Sequence, residues 1–127
     1  MNNISTGIDI IEIERIKAVL SKYGERFLKK IYTQQEIDYC NNRPANLAGR
    51  FAAKEATMKA LGTGTRGVSW KDIEVIRAES GAPSIKLYKR ALKRYHKLGC
   101  TNLALSFSHS RDYAIASVIA TTKFINK

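Results

Sequence analysis

Cysteine, proline and histidine occur only twice each in this 127-residue sequence, and tryptophan once. Each scarcity excludes something. Cys40 and Cys100 stand far apart and in no CxxC pattern, which argues against a disulfide framework and for a reducing compartment. His96 and His109 have no partner at ligand spacing, so a zinc site is not expected. No apolar run approaches the ~20 residues that a membrane-spanning helix requires. The opening Met-Asn-Asn-Ile-Ser-Thr-Gly has neither the basic nor the apolar region of a signal peptide. The expected location is therefore cytoplasmic. Repeats and low-complexity tracts are missing too.

Acidic residues are also short. There are 11 Asp and Glu against 22 Lys and Arg, a net charge of +11. A surface of that sign attracts polyanions: nucleic acid, an anionic membrane, a phosphorylated metabolite or an acidic protein. Charge alone does not choose among them. The length fits one domain, residues 1–127, able to bury roughly two-thirds of its unfolded surface.

What is present is a sequence of short, well-marked elements. Ile4 to Ile11 ends in the apolar run Gly7-Ile8-Asp9-Ile10-Ile11 and reads as a strand. Helical spacing follows over Glu12 to Leu20 and Glu25 to Ile31. Thr33-Gln34-Gln35-Glu36 is a capping-box signature that starts a helix running through Cys40. After the break at Asn41-Asn42-Arg43-Pro44 comes the strongest helix, about Asn46 to Leu61, alanine-rich and stopped by Gly62-Thr63-Gly64. Leu47, Phe51, Met58 and Leu61 lie near one face of it. Strands are expected over Asp72 to Ala78 and around Ile85 and Leu87, then a basic helix from Tyr88 to Lys97. A hairpin of Asn102 to His109 with Tyr113 to Thr121 closes the chain. This order predicts an α+β fold, a mostly antiparallel sheet with a long central helix.

Three positions invite a chemical reading. Asp9 sits among isoleucines, where an ionised carboxylate is costly unless paired or bound to metal; taken alone, it reads as a strand-end acid that caps a helix or faces water. Glu55 precedes Lys59 by one helical turn. In isolation that is a surface pair of about 0.3–0.5 kcal/mol. Together, however, two carboxylates from distant segments can share a hard cation such as magnesium, which accepts oxygen ligands and fills its shell with water and substrate phosphate. The Lys59 ammonium can then neutralise a leaving phosphate. His109 alternates with Leu103, Leu105 and Phe107, the pattern of a core histidine. Yet it ends its strand between Ser108 and Ser110, beside Arg111, a set suited to a phosphate. Gly62 to Gly67 follows a helix and lacks a Gly-Lys-Ser/Thr ending, so it reads as a helix stop and flexible connection rather than a phosphate loop.

Three stretches carry a family resemblance: Gly7-Ile8-Asp9-Ile10-Ile11-Glu12-Ile13-Glu14-Arg15-Ile16, Gly49-Arg50-Phe51-Ala52-Ala53-Lys54-Glu55-Ala56-Thr57-Met58-Lys59-Ala60-Leu61-Gly62-Thr63-Gly64, and Ser106-Phe107-Ser108-His109-Ser110. They resemble the small bacterial holo-[acyl-carrier-protein] synthases of the 4′-phosphopantetheinyl transferase family. Trp70 to Val75 and Gly81-Ala82-Pro83 fit as well. The resemblance implies transfer of 4′-phosphopantetheine from coenzyme A to a serine of acyl carrier protein, in support of fatty acid biosynthesis. It implies a homotrimer with active sites at subunit interfaces. Asp9 and Glu55 correspond to magnesium ligands, a role in which manganese can substitute, and Glu55 is also a candidate base. Lys59 corresponds to the lysine that assists the departing phosphate. Arg50 and His109 correspond to residues that bind coenzyme A, His109 from the neighbouring subunit with Ser108 beside it. Arg15 corresponds to the helix that docks the carrier protein. On this reading neither nucleic acid nor membrane is a partner.

Two readings compete. A basic nucleic-acid-binding domain would use Tyr88, Tyr95 and Phe124 among the basic residues. A non-catalytic module would only dock an acidic partner. The basic helix from Tyr88 to Lys97 has no assigned role and reads as a solvated face.

Overall fold

A computed structural model describes residues 2–123; Phe124 lies outside the described residues. The chain runs β1 (Asn2–Glu12), α1 (Ile13–Tyr23), α2 (Glu25–Ile31), α3 (Gln34–Cys40), α4 (Pro44–Leu61), α5 (Gly64–Gly67), a 3₁₀ turn (Trp70–Asp72), β2 (Ile73–Arg77), β3 (Pro83–Leu87), α6 (Lys89–Lys97), β4 (Cys100–His109) and β5 (Tyr113–Lys123). This is the expected α+β architecture. β1, β5 and β4 form an antiparallel sheet in that order, and β2 pairs antiparallel with β3.

Local signals set several boundaries. The capping box is present: Thr33 accepts from the Glu36 amide, and the Glu36 side chain accepts from the Thr33 amide. α4 starts at Pro44, two residues earlier than expected, because proline at the first helical position has no amide hydrogen to leave unpaired. It stops at Gly62, whose φ of 70° suits a residue without a β-carbon. The Gly62–Gly67 connection is shorter than expected. Gly64 to Gly67 winds into one helical turn.

Period-two alternation sorts the large sheet into two faces. On β5, Ala114, Ala116, Val118 and Ala120 are buried, while Tyr113, Ile115, Ser117 and Ile119 are exposed. Gly7, Asp9 and Ile11 of β1 pair with Val118, Ala116 and Ala114, so they share the inner face. α4 lies across that face and contributes Ala48, Ala52, Ala53, Ala56 and Ala60 to the core. Small residues on both sides bring helix and sheet close. The expected single apolar stripe on α4 is too narrow. Leu47, Met58 and Leu61 are buried, but so are Arg50, Lys54 and Thr57, because α3, β2 and the 3₁₀ turn pack against the side away from the sheet. Met58 belongs to a second cluster with Val68, Ile73 and Ala91.

Candidate active site

β1 and α4 cross at Gly7. A β-carbon built there would come within 1.9 Å of the Ala56 carbonyl oxygen. That close approach carries Asp9, one inward position further along β1, to the face of α4 that presents Glu55 and Lys59. The Glu55 carboxyl lies close enough to that of Asp9 for the two to interact directly. The Lys59 Nζ stands 3.4 Å from Asp9 Oδ1 and donates to the Ile8 carbonyl oxygen at 2.8 Å. The Asp9 side chain keeps 11 % of its surface exposed and that of Lys59 keeps 55 %, so the cluster opens to solvent on the lysine side. Asp9 is thus neither a helix cap nor a free surface acid, and Glu55–Lys59 is not an isolated surface pair.

Burial first, then the direct interaction with the Asp9 side chain and its negative charge, raise the Glu55 carboxyl from 4.5 to about 7; Lys59 and Arg15 pull it part of the way back. Two carboxylates held together in this way share a proton or a cation. The donor set is all oxygen, which suits magnesium or manganese over softer metals. Among the described residues no three His, Cys, Asp or Glu gather as a metal cluster. Asp9 and Glu55 would then be the oxygen ligands from the protein, with water and substrate supplying the others. The residues fit such an ion.

Arg15 follows β1 on α1, exposed and close enough for its charge to act on Glu55. Arg50 is on another side of α4. It is 2 % exposed, its guanidinium lies 4.3 Å from the centre of the Tyr39 ring, and its Nε and Nη1 have no hydrogen-bond partner among the described residues. Arg77 stands over the same ring at 5.7 Å. Arg43 is there too, at 5.5 Å, so three guanidiniums gather around one aromatic ring with no carboxylate bridged to any of them among the described residues, a concentration of positive charge.

His109 is exposed, not a core histidine: its strand ends there and the sheet offers no further cover. Its Nδ1 lies 3.4 Å from the Ser110 carbonyl oxygen. Ser108 is exposed on the opposite face. Asp9, Ala116 and Phe107 lie in one cross-strand row, so β4 is two strands from Asp9 and His109 lies one inward step beyond Phe107. Within one chain the structure gathers Asp9, Glu55 and Lys59, with Arg15 near them. Arg50, Ser108 and His109 are set apart.

Several residues escaped the sequence reading. Gly7 shows as a glycine in a strand, a recognised mark of close backbone approach. Lys54, fully buried, gave no signal in the sequence. Arg77 reads as a strand-end charge. The basic helix is only partly a solvated face, since Arg90 and Arg94 bond to backbone carbonyls. Of the aromatics that a nucleic-acid reading would use, Tyr88 donates its hydroxyl to Glu74 at 2.8 Å and Tyr95 is half-buried.

Comparisons with known proteins place the chain in one family. A family model described as the 4′-phosphopantetheinyl transferase superfamily matches residues 5–118. A holo-[acyl-carrier-protein] synthase from Gloeobacter violaceus is 48% identical over 116 residues, covering 88% of this chain and 88% of its own. One from Dehalococcoides mccartyi is 47% identical over 115 residues, covering 91% and 96%. The crystal structure of the Helicobacter pylori holo-[acyl-carrier-protein] synthase in complex with coenzyme A is similar at a TM-score of 0.83. It shares 34% identity and covers 91% of this chain and 98% of that one. Among the described residues, no helix is long and apolar enough to cross a membrane.

Proposed function

Because this chain belongs to the 4′-phosphopantetheinyl transferase superfamily, we propose that it is the holo-[acyl-carrier-protein] synthase its resemblance implies. It transfers 4′-phosphopantetheine from coenzyme A to a serine of apo acyl carrier protein, releasing adenosine 3′,5′-bisphosphate, and so supports fatty acid biosynthesis. Residues 1–127 make up one catalytic domain. The observation that carries the reading is the meeting of Asp9 with Glu55 and Lys59, 46 and 50 positions further along the chain, at one solvent-open point.

Asp9 and Glu55 would hold a magnesium ion, which offsets the charge of the coenzyme A pyrophosphate and orients it; manganese would serve as well. The carrier-protein serine attacks the β-phosphorus, the bond from that phosphorus to the bridging oxygen breaks, and the adenosine bisphosphate takes the bonding electrons. Lys59, pinned by the Ile8 carbonyl, presents its ammonium to the leaving phosphate. The serine proton passes to Glu55 or to water at the site. The positive charge gathered at Arg50, with its two unpartnered nitrogens, suits the phosphates of coenzyme A.

The assembly we propose is a homotrimer in which Ser108 and His109 of one chain complete the coenzyme A site of the next. Its support is the outer face of the large sheet, where Ile4, Ile8 and Ile10 are 69%, 60% and 60% exposed beside Ile115 and Ile119. An apolar surface of that kind calls for cover. Arg15, near the carboxyl pair and exposed, would dock the acidic carrier protein where its serine must arrive. Both cysteines are free, in keeping with a cytoplasmic setting. The test is incubation with coenzyme A, magnesium and apo carrier protein, read by mass spectrometry. A phosphopantetheine adduct on the carrier protein is expected; its absence at every metal concentration rejects the reading.

A further inference from the structure

α6 is the most basic element of the chain, with Lys89, Arg90, Lys93, Arg94 and Lys97 in nine residues. A solvated face would send these charges into water. Two of them bond back to the chain instead, Arg90 from an exposed position. Arg90 donates from Nε to the Gly67 carbonyl at 3.0 Å and from Nη2 to the Arg66 carbonyl at 2.9 Å. Arg94, half-buried, donates from Nε to the Leu61 carbonyl at 2.9 Å. α6 therefore grips both ends of the Leu61–Gly67 connection, the segment that follows the reacting lysine.

The Arg94 contact falls where a helix needs it. The last four carbonyls of α4 have no intrahelical donor, and they are the negative end of its dipole. A guanidinium there supplies both a donor and a positive charge. The Gly62 amide closes back on the Lys59 carbonyl at 3.1 Å, and a β-carbon at Gly62 would come within 3.5 Å of Arg94 Nη2. So Arg94 packs over the turn that contains Lys59. A groove of about 470 Å³ runs between β1 and α6 and is lined by Ser5, Lys59, Gly62, Arg94 and Lys97, which puts the clamp and the lysine on one open surface. Helix ends fray unless held. A lysine on a frayed turn would not keep its ammonium on Asp9.

We propose that Arg94 is a positioning residue for the transfer: through the Leu61 carbonyl it fixes the last turn of α4 and so aims Lys59 at Asp9. Arg90 does the same for the far end of the connection. The inference rests on the transferase reading and adds to it a role for the basic helix.

The test compares Arg94→Ala, Arg94→Gln and Arg94→Lys with the wild-type chain by two readouts. Hydrogen exchange is followed in the peptide spanning Met58 to Thr63, and kcat and both KM values are measured at saturating metal. Arg94→Ala should speed exchange in that turn about tenfold and lower kcat between about 5- and 100-fold, leaving the carrier-protein KM within about twofold. Arg94→Lys, which keeps the charge and a donor, should recover at least half of both effects. Should Arg94→Ala fail to fold, Arg94→Gln, neutral but isosteric in part, supplies the same two readings. Faster exchange with unchanged kcat would reduce Arg94 to a structural cap and overturn the proposal. A loss of kcat with unchanged exchange would overturn it too, because Arg94 would then act on substrate rather than through Lys59. A wild-type chain that forms no adduct rejects the transferase reading and the catalytic half of this inference, while the exchange result still decides the clamp.

Discussion

Lys54 and Glu36 face each other 2.8 Å apart with both side chains fully buried. Both also make further hydrogen bonds. Lys54 also donates to the Trp70 and Ile73 carbonyls, and Glu36 accepts from the Thr33 and Val75 amides. Burial lowers the Lys54 pKa, while Glu36 works to raise it. The pair ties α4 to α3 and β2 on the side away from the sheet. Glu55, the next residue, is thereby left aimed at Asp9.

Lys54→Met should cost about 3–5 kcal/mol of stability, because Glu36 is left charged and buried without its counter-charge. The double variant Glu36→Gln with Lys54→Met should recover part of that loss. Urea denaturation measures both; equal losses in the single and double variants would mean that the pair is not coupled.

Gly7→Ala should destabilise the chain by about 1–3 kcal/mol, since β1 must move off the Ala56 carbonyl to admit a methyl group. The same shift separates Asp9 from Glu55. Manganese titration should show weaker binding than in the wild type, with the far end of the sheet unchanged by hydrogen exchange.

Glu55 gives the metal-free chain a pH dependence of definite sign. Its folded pKa, about 7, lies above the ordinary 4.5, so the folded state holds more protons than the unfolded state between those values. Stability of the metal-free chain should therefore fall as pH rises from about 4.5 to about 7. Glu55 is only half-buried and its cluster opens to solvent on the lysine side, so screening limits the effect to on the order of 1 kcal/mol. Glu55→Gln should flatten the profile and abolish transfer. Metal binding should strengthen through the same range as the proton is displaced, which calorimetry in two buffers reads as proton release.

Ile8→Lys should break the proposed trimer without unfolding the chain, because the residue is 60% exposed on the outer face. Sedimentation would report a monomer, and transfer should fall with Asp9 and Glu55 intact. Asp9→Ala and His109→Ala chains, each nearly inactive alone, should regain about a quarter of wild-type activity when refolded together, the fraction of interfaces with both halves intact. No rescue in trimers shown to be mixed would reject the shared site.

Arg15→Glu should raise the KM for carrier protein far more than that for coenzyme A. The wild-type carrier-protein KM should rise steeply with salt, as expected for a basic face meeting an acidic helix. Equal changes in both constants would remove Arg15 from the docking face.

Much of the architecture was legible in the residues because its signals are local. The capping box from Thr33 to Glu36, the glycine stop at Gly62 and the alternation of Ala114 to Ala120 each need neighbours no more than a few positions away. The motif from Gly49 to Gly64 was equally plain, and so was the candidacy of Asp9 and Glu55. Their meeting was not. Asp9 reaches Glu55 because Gly7 and the alanines of α4 and β5 let a helix settle close to a sheet, and no local pattern measures that distance. His109 carried the alternation of a core residue and stands exposed, because alternation assigns a face and not the extent of its cover. Lys54 gave no signal, and Arg94 read as part of a solvated face. Their partners, Glu36 and the Leu61 carbonyl, lie 18 and 33 positions away in sequence. What tertiary structure decided was which charges leave water and what compensates them, and that depends on contacts between distant segments that form only when the whole chain has packed.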